Sequence, residues 1–176
     1  MRVTSAETMD TERLTLLPLR VEHAEEMAGV LADPALHTFI GGSPEPVEAL
    51  RARYARVTSG SPDPAVTWLN WVIRLRDEDR LTGTVQATLK GGTAEIAWVT
   101  GLPWQGRGIA SEAARALVGW LRTQAVHTVV AHVHPDHHAS AAIATRAGLT
   151  PTDDERDGET RWQLTLPRPV PGTPGS

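Results

Sequence analysis

Hydrophobic and polar positions alternate most cleanly over 67–76, where Leu69, Trp71, Ile73 and Leu75 fall on one face and Trp68, Asn70, Val72 and Arg74 on the other. A period of two is the mark of a strand, and the first of these faces suits a core. The pattern resumes over 81–89 after the charged turn 77–80, and Gly91-Gly92 then turns the chain into a third such segment, 93–99. Together they predict an antiparallel meander. Upstream, 12–19 carries Leu14 and Leu16 among β-favouring residues, with Pro18 pointing to an edge strand, and helical spacing follows at 21–32 and 46–58. From Ile109 the period changes, because Ile109, Ala113, Ala116, Leu117, Trp120 and Leu121 form a single stripe at helical spacing. A long amphipathic helix is expected from near Gly108, then a strand over 128–134, a short helix over 139–147 stopped by Gly148, and a last strand over 161–166. This order predicts an α/β fold in which about four helices flank a central mixed sheet of six to seven strands.

Composition narrows the functional classes. A chain of 176 residues, 40% hydrophobic and 22% charged, has the size and make-up of one compact domain. We expect that domain over 11–166, a flexible lead-in over 1–10, and a frayed tail over 167–176, where four prolines and two glycines leave little to bury. No apolar run is long enough to span a bilayer and no secretory pattern opens the chain, so a cytoplasmic location without membrane contact is expected. The absence of cysteine excludes a thiol nucleophile, a disulfide framework and cysteine-ligated metal. A formal net charge of −4 provides no basic footprint for nucleic acid. Oligomeric state is not legible, and a homodimer is left open.

The segment richest in chemistry is Val99-Thr100-Gly101-Leu102-Pro103-Trp104-Gln105-Gly106-Arg107-Gly108-Ile109-Ala110-Ser111. A strand runs through a glycine-bearing loop straight onto a helix, so unpaired N–H groups and the positive end of the helix dipole meet at one spot. Gly106 and Gly108 allow close main-chain approach and Arg107 adds a cation, a combination suited to a diphosphate. The loop lacks both the terminal Gly-Lys-Ser/Thr of a P-loop and the three glycines of a dinucleotide fingerprint.

Gln105-Gly106-Arg107-Gly108-Ile109-Ala110 resembles the Q/R-x-x-G-x-G/A coenzyme A loop of the GNAT superfamily. Thr11-Glu12-Arg13-Leu14, Trp71-Val72-Ile73-Arg74 before a polar turn and Gly83, Ala94-Glu95-Ile96 before the loop, Ala110-Ser111-Glu112-Ala113 after it, and Ser140 eight residues before Gly148 resemble the branch containing the ribosomal-protein N-terminal acetyltransferases. The resemblance spans about 11–166 and implies a splayed sheet, with acetyl-coenzyme A as co-substrate and an amine acceptor, either a small molecule or a peptide N-terminus. It implies that Ala97, Trp98 and Val99 border the thioester, that Gln105, Gly106, Arg107, Gly108, Ile109, Ala110 and Ser111 hold the diphosphate, and that His137 and Ser140 meet the pantetheine. Glu95, on the strand leading into the loop, is the implied base, taking the amine's proton through water; its other reading is a rim carboxylate paired with an arginine. A backbone N–H near Val99 is the implied oxyanion donor. Glu112, in the first turn of the long helix, reads as a capping carboxylate.

Two departures from the family pattern bear on mechanism. His137 stands where an asparagine is common, and Ala144 where many members carry a tyrosine; the only tyrosine is Tyr54. Protonation of the departing thiolate therefore falls to Ser140, water or another group, and a thiol pKa of about 8.5 makes a weak acid sufficient. The acceptor pocket is expected from the first two helices and the hairpin, with Trp68, Tyr54 and the 77–79 acids as contributors, while Arg107 and Arg146 are candidates for the phosphates. Two other functions compete with acyl transfer. His132-Val133-His134-Pro135-Asp136-His137-His138 matches an H-x-H-x-D-H zinc-hydrolase string, but His138 is the last histidine and such centres need further ligands downstream. A non-catalytic acyl-coenzyme A sensor would keep the loop and lose the acceptor site, against which Glu95 and Ser140 both argue.

Overall fold

The structure, a computed structural model, describes residues 5–40 and 42–167. Eight strands form one sheet in the order β1-β2-β3-β4-β5-β6-β8-β7. They are β1 (Met9–Asp10), β2 (Leu14–Pro18), β3 (Val66–Leu75), β4 (Arg80–Lys90), β5 (Thr93–Thr100), β6 (Thr128–Val133), β7 (Thr150–Arg156) and β8 (Glu159–Thr165). Helices α1 (Ala24–Val30), α3 (Val47–Thr58), α4 (Ile109–Arg122) and α5 (His138–Arg146) flank it, with a single turn α2 (His37–Ile40) between α1 and α3. The count of eight corrects the expected six to seven. β1 is only two residues long, and β7, Thr-Pro-Thr-Asp-Asp-Glu-Arg, is an almost wholly exposed outer strand without apolar alternation. Neither carries the periodic signal that betrays a strand. Met9 and Asp10 pair with Leu16 and Thr15, although they lie within the expected lead-in; the tail beyond Pro167 lies outside the described residues.

The meander forms as its alternation predicts. Leu69, Trp71, Ile73 and Leu75 are buried, and Trp71 packs edge to face on Trp120 of α4, with ring centroids 5.4 Å apart, while its indole N–H donates to the Glu7 carbonyl at 2.8 Å. Ile109, Ala113, Leu117 and Leu121 of the predicted stripe are almost fully buried on the same side. Each large aliphatic side chain so buried contributes about 2 kcal/mol. Val72, on the opposite face of β3, is equally buried, because α1 packs on β4 and α3 on β3. The sheet is thus covered on both sides, which places any opening between strands rather than over a bare face. Among the described residues no helix is long and apolar enough to cross a membrane.

Candidate active site

Every pairing in the sheet is antiparallel except β5 with β6, and that parallel ladder consists of three rungs, Thr93/Thr128, Ala94/Val129 and Glu95/Val130. Beyond Glu95 the two strands separate, while β5 stays paired to β4 as far as Thr100. The separation leaves main-chain groups of β5 facing the gap. Gly101 N–H donates to the Thr82 carbonyl at 2.8 Å, and stepping back by twos along the antiparallel register turns the N–H groups of Val99 and Ala97 toward β4. The N–H groups of Ile96 and Trp98 face the opening instead. Near Val99, where an oxyanion donor is expected, the N–H that faces the gap is that of Trp98. The gap is the core of a cleft of about 910 Å³ that reaches both faces of the sheet.

On one side of the gap stands the head of α4. Gly106 and Gly108 have φ of 76° and 77°, left-handed values that a side chain disfavours, and Gly108 is the residue from which the helix starts. The first intrahelical bond runs from Glu112 N–H to the Gly108 carbonyl at 3.1 Å, so the N–H groups of Ile109, Ala110 and Ser111 have no helical acceptor and point outward from the helix start. Gln105 does not point at that cradle: its amide donates to the Thr100 carbonyl at 3.0 Å and ties the loop to the end of β5. Arg107 is likewise occupied, bonded to Glu78 at 2.7 Å. The hydrogen bonds from Arg107 and from the Trp104 indole hold the Glu78 carboxyl below its usual range. Arg146 of α5 reaches the helix start instead, 3.4 Å from the Ser111 hydroxyl. Glu112 caps nothing of its own helix. It accepts from the Thr11 hydroxyl, the Arg13 backbone at 2.9 Å and the Arg13 guanidinium at 2.8 Å, stitching the first strand to α4. Desolvation pushes its carboxyl up, but these hydrogen bonds outweigh it and leave the group below the ordinary carboxylate range.

The head of α5 closes the same side. His137 is its N-cap, its Nδ1 accepting from Ser140 N–H at 3.4 Å, which leaves the ring hydrogen on Nε2. Burial, and then the neighbouring His134 and His138, lower its pKa. The Trp98 indole spans the splay and donates to the Ser140 hydroxyl at 2.8 Å. A hydroxyl that accepts in this way keeps its own hydrogen for another partner.

Glu95 lies on the opposite face of β5 from Trp98. One of its oxygens, Oε1, takes His132 Nδ1 at 2.8 Å and the Arg156 guanidinium at 2.6 Å. The pairing with an arginine matches the second reading of Glu95, and the carboxylate lines the cleft as well. Tyr54 enters the cleft from α3 with its hydroxyl buried and, among the described residues, without a hydrogen-bond partner, and burial raises its pKa to about 12. Trp68 lies outside this cleft on a shallow hollow of β3 and β4, and Asp79 is bonded to Arg74; neither joins the site. The histidines diverge: His132 turns to Glu95, His134 accepts from Asp136 N–H at 3.0 Å, and His137 caps α5. No metal-binding group of three such side chains forms among the described residues, and the zinc-hydrolase arrangement is not built.

A cleft through a sheet splayed after one parallel pair, with a helix start on one side and a carboxylate–imidazole pair on the other, invites comparison with known proteins. Residues 13–150 match the family model of the acetyltransferase (GNAT) domain. This chain belongs to the GNAT acetyltransferase family. Solved GNAT structures share its fold: an acetyltransferase of the family from Bacillus anthracis is 19% identical with a TM-score of 0.76, covering 90% of this chain and 98% of its own. The ribosomal L7/L12 α-N-protein acetyltransferase RimL, in complex with coenzyme A, is 17% identical with a TM-score of 0.75, covering 91% and 98%. Spermidine N-acetyltransferase from Vibrio cholerae, in complex with coenzyme A and spermine, is 16% identical with a TM-score of 0.72, covering 89% and 97%. No curated protein matches the chain in sequence. As a GNAT acetyltransferase it is an acetyl-coenzyme A-dependent N-acetyltransferase, and the unpaired N–H groups at the head of α4 suit the diphosphate of that co-substrate.

Proposed function

We propose that this acetyltransferase acylates a primary amine, on a small molecule or a peptide N-terminus, by direct attack on acetyl-coenzyme A in a ternary complex. The observation that carries the reading is the continuity of the cleft: the gap after Glu95 joins the cofactor-side groups to the face bearing Glu95, His132 and Tyr54. In this reading the diphosphate rests on the N–H groups of 106–111 with Arg146 beside it, and Arg107 and Gln105 support the loop rather than the ligand. The pantetheine passes between β5 and β6 along Ala97, Trp98 and Val99. His137 offers its Nε2–H to the pantetheine, and Ser140, fixed by Trp98, donates toward the sulfur as the thiolate leaves. The Trp98 N–H meets the developing oxyanion. The amine enters from the Glu95 face, where the Glu95–His132 pair draws off its proton. A lysine-like amine, of pKa about 10.4, depends on such help far more than an α-amine of pKa about 8. A chain without cysteine gains nothing from an oxidising compartment, and the reading includes a cytoplasmic location.

Calorimetric titration with acetyl-coenzyme A, followed by free-thiol release across a panel of amines and peptides, tests this. Binding with amine-dependent release is expected. Binding without release on any acceptor favours a sensor, and no binding overturns the assignment of the loop.

A further inference from the structure

The carboxylate at the acceptor side is not an isolated base. An ionised carboxylate only accepts hydrogen bonds, so the 2.8 Å approach of His132 Nδ1 to Glu95 Oε1 places the ring hydrogen on Nδ1 and leaves the lone pair on Nε2. The same oxygen also accepts from Arg156 at 2.6 Å, and is thus doubly occupied before any amine arrives. Arg156 stands 3.2 Å from Nδ1 as well, but two donors meeting there share Oε1 rather than bond each other. His132 lies two residues beyond the last rung of the β5–β6 ladder, where the strands part, and its largely buried ring lines the cleft. No group among the described residues bonds its Nε2.

Resting on the transferase reading above, we infer that His132 Nε2 takes the proton from the attacking amine and that Glu95 acts through it, as a positioning residue. As the neutral amine nitrogen attacks the thioester carbonyl carbon, the C–N bond forms and the C–S bond breaks. The surplus N–H proton passes to His132 Nε2 and from there to solvent, and the departing thiolate takes up one proton, so that the sum is an amide and a free thiol. Glu95 fixes the tautomer and faces the positive charge that forms on the ring; Arg156 holds the carboxylate in place. The charged and titratable groups sharing the cleft with His132 are Glu95 on β5, His134 just past the end of β6, His137 at α5, and Arg156, Asp157 and Glu159 around the β7–β8 turn. Arg161 lies opposite on β8, and His37, Glu45, Arg53 and Tyr54 border the far wall.

His132→Asn keeps a donor near the Nδ1 position and removes the acceptor at Nε2; Glu95→Gln keeps the shape and removes the charge. With an amine acceptor found as above, pH profiles of kcat/KM and acetyl-coenzyme A affinity are measured for both and for the parent protein. His132→Asn is expected to lower kcat about 100-fold, to abolish the acidic limb of the profile and to leave acetyl-coenzyme A affinity unchanged. Glu95→Gln is expected to lower kcat less than His132→Asn while retaining that limb. If His132→Asn keeps the limb and near-parental kcat while Glu95→Gln abolishes both, Glu95 is itself the base and the inference is overturned with the transferase reading intact. A parent protein that binds no acetyl-coenzyme A overturns the transferase reading and this inference together. Retained acetyl-coenzyme A affinity in each variant separates lost proton transfer from lost folding.

Discussion

Gly83 and Val99 approach so closely that a Cβ on Gly83 would stand 2.1 Å from the Val99 carbonyl oxygen. That contact lies where β4 carries β5 away from β6, at the mouth of the splay. Gly83→Ala is expected to destabilise the fold by about 1–3 kcal/mol through overpacking, and to weaken acetyl-coenzyme A binding by moving the rim of the gap. Urea unfolding and calorimetry measure the two effects; parental values in both would show that the strand yields freely.

Trp98 and Ser140 act as a unit in the proposed site, joined by the indole N–H. Trp98→Phe and Ser140→Ala are each expected to lower kcat about tenfold. Combined, they should cost little more than either alone, because the second change removes an interaction already lost. Fully additive losses in the double variant would dissociate the two residues.

His137 caps α5 and carries a lowered pKa, chiefly through burial. The folded state therefore binds fewer protons here than the unfolded state, and this site weakens folding as pH falls below the ordinary imidazole value of 6.5. His137→Asn, which retains a capping side chain, should keep stability at neutral pH and remove this part of the acid loss, whereas His137→Ala should cost about 1 kcal/mol. Thermal unfolding of the three proteins between neutral and mildly acid pH decides the matter. An unchanged acid slope in His137→Asn would assign it to other groups.

Tyr54 buries a hydroxyl without a protein partner on the wall of the cleft. Tyr54→Phe removes that unsatisfied group, so stability should hold or rise by up to about 1 kcal/mol. If the acceptor supplies the missing partner, its KM rises severalfold while acetyl-coenzyme A affinity stays level. A marked loss of stability would reveal a structural role for the hydroxyl.

Much of the fold was legible because its signals are local. The alternation of 67–76, the Gly91-Gly92 turn and the stripe from Ile109 each depend on neighbours a few residues apart, and all three formed as expected. Gly106 and Gly108 adopt the positive φ that only their lack of a Cβ makes easy. β7 escaped notice because an outer strand facing water needs no apolar side chains; its pairing to β8 and the Arg156–Glu95 ion pair hold it. Within the loop, residue type alone does not give the side-chain partners: Gln105 bonds Thr100 and Arg107 bonds Glu78, while Arg146 comes to the helix start from 35 residues away.

The order of most elements, the family and the glycine loop that opens α4 follow from the sequence alone, since periodicity, turn chemistry and helix starts are properties of short stretches of chain. Only the tertiary structure decided which side chains meet across the splay. Glu95 with His132 and Arg156, and Trp98 with Ser140, are pairs 37 to 61 residues apart. Their contact depends on where a three-rung parallel ladder ends, and that is set by the packing of whole strands and helices rather than by any local pattern.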